Sequence, residues 1–150
     1  MPMRLSLLAS LAVLTPASVL AQEMPTTQAG FYQAGQTFAH CSAHFRFAAE
    51  VARGNSLADN ATAFEGMERG WRLAGLPLLT EGLDPSRQIQ VQQVFADLQA
   101  NKIDQFRAWR ELEPQTYSQR MLREYEAACG PWAELQKSII AAMRSGSSPR

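Results

Sequence analysis

Between Phe31 and Ala52 the apolar and small residues recur in alternating steps of three and four: Phe31, Ala34, Phe38, Cys41, Phe45, Ala48, Ala52. Residues so spaced stack on one face of a helix. Three phenylalanines seven apart, with small residues between them, make knobs beside gaps that a second helix can fill. Cys41 sits in the middle of this seam and points inward. An inward cysteine is either a small buried hydrophobe or half of a disulfide. His40 and His44, the chain's two histidines, stack on a flanking face that Phe47 and Val51 continue.

The chain opens MPMRLSLLASLAVLTPASVLA. One arginine, the apolar run Leu5–Leu14, a helix-breaking Pro16 and a small Ala21 have the layout of a secretory signal. The run is too short to span a bilayer. Cleavage is expected after Ala21, giving a periplasmic or secreted protein. Losing Arg4 leaves thirteen basic residues against fourteen acidic ones, a formal charge of −1. That balance, with no basic run, argues against nucleic acid as a partner. Nothing later is apolar enough for stable membrane insertion. In an oxidising compartment the chain's two cysteines read as one bond, Cys41–Cys129. Closing so long a loop is worth up to about 4 kcal/mol on the chain-entropy view.

Residues 22–30 read as a flexible lead-in, 31–144 as the helical domain and 145–150 as a flexible tail. The first helix starts at Phe31 or Gln36 and ends at Arg53, with Gly54 as its left-handed cap. Ser56 with Asp59 signals the next start. That helix carries Leu57, Ala61, Phe64, Met67, Trp71 and Ala74, with Gly66 and Gly70 on another side, and stops at Gly75 and Pro77. Leu76–Gly82 is then an apolar connection. Asp84-Pro85 opens a long third helix with Val91, Phe95, Leu98, Phe106, Trp109 and Leu112 inward. Asn101-Lys102 interrupts its stripe and marks a bend, and Glu113-Pro114 ends it. Thr116 with Gln119 starts a fourth helix running to Cys129, and Pro131 starts the last, with Leu135, Ile139, Ile140 and Met143 inward. No stretch alternates as a strand does. The expected fold is all-α, a four- to five-helix bundle pinned by one disulfide.

Few residues suggest chemistry. His40 and His44, four apart, can reach one metal ion, with Glu50, Glu124 or Glu126 as a further ligand. The glutamate that follows the first histidine in metalloprotease helices is missing. A copper-type set including Cys41 needs a reduced thiol, which export disfavours. Cys129-Gly130-Pro131-Trp132 lacks the second cysteine of a redox pair. Ser42 stands two residues from His44, so helical geometry keeps the two from facing each other. A hydrolase would need residues that meet only in the fold. Trp71 between Arg69 and Arg72 offers a recognition edge, although a core role for that tryptophan is the commoner use. The reading is a non-enzymatic, cofactor-free binding or structural protein whose partner is a protein or a small ligand. Metal binding at His40 and His44 is the alternative.

Overall fold

The computed structural model describes residues 21–146. The export signal expected over residues 1–21 falls outside them apart from Ala21, as does the chain beyond residue 146. Among the described residues five helices follow one another: α1 (Gln28–Gly54), α2 (Ala58–Gly82), α3 (Val91–Leu112), α4 (Tyr117–Ala128) and α5 (Ala133–Ser145). Short 3₁₀ turns at Pro85–Gln90 and Gly130–Trp132 lead into α3 and α5. The described residues contain no strand.

α1 is the axis of the bundle. Ala34, Phe38 and Cys41 meet Trp71, Leu78, Cys129 and Ile139 on one side. Ala39 meets Leu79, Leu83 and Phe95 on a second. Ala43 and Phe47 meet Ile103, Phe106 and Met121 on a third. A helix surrounded in this way must be small or apolar nearly all round, and α1 is. The disulfide forms between Cys41 and Cys129, with their Cα atoms 5.8 Å apart. It ties the end of α4 to the middle of α1.

α1 and α2 form an antiparallel pair in unusually close contact. A Cβ on Gly35 would lie 2.7 Å from the Leu79 Cα, and one on Gly82 would lie 2.3 Å from the Tyr32 nitrogen. A Cβ on Gly75 would meet the Phe38 Cβ at 2.7 Å. Bare backbone at these three positions lets the two axes approach until main chain touches main chain.

This contact corrects the expected end of α2. The helix does not stop at Gly75 and Pro77, and Leu76–Gly82 is not a loop. Pro77 removes one backbone donor and crowds the preceding turn. Beyond it Leu78 and Leu79 are 3% and 0% exposed, so burial against α1 and α3 outweighs the local penalty.

Several boundaries move for local reasons. α1 starts at Gln28, because the Thr27 hydroxyl accepts a hydrogen bond from the Gly30 amide at 3.0 Å. The lead-in is docked: the Gln22 amide donates to the Pro131 carbonyl at 2.9 Å, and Met24 packs on the core. Gly54 belongs to α1, and the left-handed residue is Ser56, at φ 60°. Leu57 N–H reaches Ala52 O at 2.9 Å and Ser56 N–H reaches Arg53 O at 3.0 Å. Those crossed bonds define a Schellman turn, which places its left-handed residue two positions after the helix end. Ser56, in that turn, makes no side-chain cap, and neither do Thr116 and Asp84 at the starts expected there. The Asp84 carboxylate accepts from the Gln28 amide at 3.5 Å. α3 runs unbroken through Asn101-Lys102. Leu112 and Met143, expected inward, are 80% and 45% exposed.

Candidate functional site

The two histidines land in different surroundings from Ser42. His44, 6% exposed, lies on the side of α1 that faces α3 and α4. Its ring sits 4.5 Å from Phe106 and 5.5 Å from Tyr125 between centroids. Its Nε2 is 3.6 Å from Glu124 Oε2. Burial, then the Lys102 charge, then His40 push its pKa down to about 3, so the ring is neutral. A neutral ring at that distance makes a contact and not an ion pair. His40 is lowered as well, by burial first and by Lys102 second, against a weaker pull from Glu124.

Glu124 already has a cation. The Lys102 ammonium donates to Glu124 Oε1 and, at 2.6 Å, to Gln105 Oε1. It also lies over the Phe106 and Trp109 rings at 5.3 and 5.6 Å. The lysine stem is packed, with its side chain 14% exposed. A metal ion beside His40 and His44 would have to share Glu124 with that ammonium. Glu50 pairs instead with Arg107 at 3.0 Å, and Glu126 is exposed. Among the described residues no three His, Cys, Asp or Glu side chains converge as a metal requires. The disulfide removes Cys41 from any ligand set.

On the opposite side of α1, Ser42 is completely buried. Its hydroxyl donates to Ala39 O at 2.8 Å and accepts from Gln99 Nε2 at 2.8 Å. The same Gln99 amide donates to Glu68 at 2.9 Å, and its oxygen accepts from Arg46 at 3.0 Å. Gln99 is 3% exposed and satisfied on both ends. The serine is thus part of a knot joining α1, α2 and α3, remote from the histidine face. Gln99 and Lys102 are what interrupts the apolar stripe of α3. They turn inward as polar groups with partners, a role that the gap in the stripe signals without naming.

Trp71 is 4% exposed, so it cannot form a recognition edge with Arg69 and Arg72. Tyr125 and Phe38 stand edge-on to it, with ring centroids 6.3 and 5.0 Å away. Burial of Tyr125 raises its pKa. Arg69 and Arg72 remain at the surface.

An apolar surface groove lies elsewhere. A groove of about 380 Å³ opens between the end of α1, the start of α2 and the start of α4. Phe47, Val51, Phe64 and Met121 form its apolar walls, and Ala48 and Ala52 leave room between them. Asn55, Asn60 and Ser118 supply polar groups. Leu57 and Leu122, also lining it, are 50% and 57% exposed. Ser56 shapes the turn between its first two walls. The periodicity puts Phe64 on the apolar stripe of α2 and Phe47 on the flanking face of α1, and only their neighbours' exposure shows that they also line a surface groove.

No family model, curated protein or solved structure matches this chain.

Proposed function

We propose that this is an exported, non-enzymatic binding protein whose ligand site is the groove at the α1–α2 turn. The observation that carries the reading is an apolar groove within the ordinary size range of ligand sites, dotted with a few neutral polar groups. Half-exposed leucines beside such a groove lose water-exposed apolar area when a ligand covers them. The groove carries no charged side chain, which suits a neutral, largely apolar ligand. Export is supported by the signal-like N-terminus and by a disulfide, which persists in oxidising compartments. Binding is favoured over catalysis because His44, at a pKa of about 3, is poorly matched to proton transfer near neutral pH. Among the described residues no helix is long and apolar enough to cross a membrane.

The test is titration with N-phenyl-1-naphthylamine, a neutral apolar fluorophore. Saturable emission is expected for the native chain, with at least a tenfold weaker response for Ala48→Phe, which fills the groove. No saturable uptake, or uptake unchanged by Ala48→Phe, refutes the assignment. Mass spectrometry of protein recovered from the periplasm tests export: the expected species begins at Gln22 and lacks two hydrogens.

A further inference from the structure

A second trough, independent of the first groove, lies between α2 and α5. It has a volume of about 440 Å³. A Cβ on Gly70 would meet Gln136 at 2.9 Å and Ile140 at 3.7 Å, so this turn of α2 faces the middle of α5. Gly66, one turn earlier, shares the lining with Met143 and Arg144, one turn later on α5. The helices therefore run antiparallel along the trough. Arg144 stands at the Gly66 end. Leu73 stands at the other, seven residues along α2, or about 10 Å at the helical rise.

We propose that this trough binds a linear anionic amphiphile, an acyl chain ending in a carboxylate. The charge argument comes first. Arg69 and Arg144 line the trough, and neither has a hydrogen-bond or ion-pair partner among the described residues. Arg53, Arg72, Arg107 and Arg120 sit on carboxylates, and of the arginines without a side-chain partner, which also include Arg87, Arg110 and Arg123, Arg69 and Arg144 share one trough. Two unpaired guanidiniums beside apolar surface call for an anion from outside, and a carboxylate matches their fork geometry. A second copy of the chain does not meet that need. No carboxylate lines the trough, so two-fold pairing of this face would set arginine against arginine.

The apolar argument comes second. Leu73 and Met143 are each 45% exposed along the trough, and Ile140 borders them. Gly66 leaves open space within 4 Å of where its Cβ would stand. A glycine there weakens the helix relative to alanine. Internal packing explains Gly70, which faces Gln136, but not Gly66. A trough that sets two guanidiniums among Leu73, Ile140 and Met143 over a bare glycine floor fits an anionic head joined to a flexible chain.

The experiment titrates decanoate, below its micelle concentration, into ¹⁵N-labelled protein and follows amide shifts. Saturable shifts are expected at Gly66, Gly70 and Leu73. Decyltrimethylammonium, with the same chain and the opposite charge, should bind at least tenfold more weakly. The double variant Arg69→Gln/Arg144→Gln should lower decanoate affinity at least tenfold. Gly66→Leu should abolish binding while leaving the thermal midpoint at or above that of the native chain. Absence of saturation, equal affinity for the two amphiphiles, or binding that survives Gly66→Leu overturns the proposal. Shifts confined to the Phe47 and Leu122 region also overturn it, and would assign the acyl chain to the first groove.

Discussion

Leu79 occupies the space that any side chain on residue 35 would need: its Cα, Cβ and backbone nitrogen all lie within 2.8 Å of a Cβ built on Gly35. The close neighbours are backbone atoms as well as side chain, so no rotamer change relieves the clash. Gly82 stands in the same relation to Tyr32. The α1–α2 pair thus has its separation set by glycine, and α1 can be central only because α2 lies so near.

That relation separates the glycines of α1 and α2 by experiment. Gly35→Ala and Gly82→Ala should each destabilise the fold by about 2 kcal/mol or more, since the helices must part. Gly66→Ala, in open space, should stabilise it by about 0.5–1 kcal/mol through helix propensity. Urea unfolding midpoints read both. Equal effects at Gly35 and Gly66 would show that the helices are not in backbone contact.

The Cys41–Cys129 bond closes a separation of 88 residues, for which chain entropy gives an upper value of about 4–5 kcal/mol. Both cysteines are fully buried, so the double alanine variant leaves a small apolar void and no orphaned polar group. The loss should be local before it is global. Besides the bond, the α4–α5 corner leans on Tyr125, Trp132 and the Gln22–Pro131 hydrogen bond, with Met121 of α4 and Leu135 and Ile139 of α5 buried on either side of it. Hydrogen exchange is expected to quicken first over residues 117–145, while α1 and α2 keep their protection. Uniform quickening would mean that the bond supports the whole bundle.

Two residues sit against their local preference. Ser56 adopts φ 60°, where a Cβ is unfavourable by about 1 kcal/mol or more. Pro77 stands inside α2 without the N–H that would reach Leu73. Ser56→Gly should stabilise by about 1 kcal/mol, and Pro77→Ala by about 1–3 kcal/mol, each as a higher urea midpoint. A lower midpoint for Pro77→Ala would show that the proline ring itself packs usefully against the bundle.

These two residues also show where the sequence is legible. Period and spacing give the helices, their order and the inward cysteines, because a buried face must repeat every three to four residues. Pro77 misleads because its penalty is local, while the burial of Leu78 and Leu79 that outweighs it is tertiary. Ser56 misleads because Gly54 offers the commoner cap, and the register of the turn is fixed by where Leu57 N–H can reach. Trp71 is legible as core. Gln99 and Lys102 are legible only as a break in a stripe, because their partners Ser42, Glu68 and Glu124 lie on other helices. Both grooves are formed between helices, so no single stretch of sequence contains either one.

His44 gives a pH signature. An unfolded histidine titrates near 6.5, and in the fold burial and the Lys102 charge hold it to about 3. Between those values the unfolded chain binds a proton that the folded chain excludes. Stability is therefore full above pH 6.5 and falls as the pH drops towards 3, by up to about 1.4 kcal/mol per pH unit. His40, lowered by the same two causes, acts in the same direction. The groups facing His44 are His40 on α1, Lys102 on α3, and Glu124 on α4, where the Tyr125 ring also packs. Comparing pH 7 with pH 5 keeps most ordinary carboxylates ionised and isolates the histidines. The native chain should lose about 1–2 kcal/mol over that interval in urea unfolding. His44→Gln should lose less than half as much, whatever its stability at pH 7. An unchanged pH dependence in His44→Gln would show that the folded protein admits the proton at that ring.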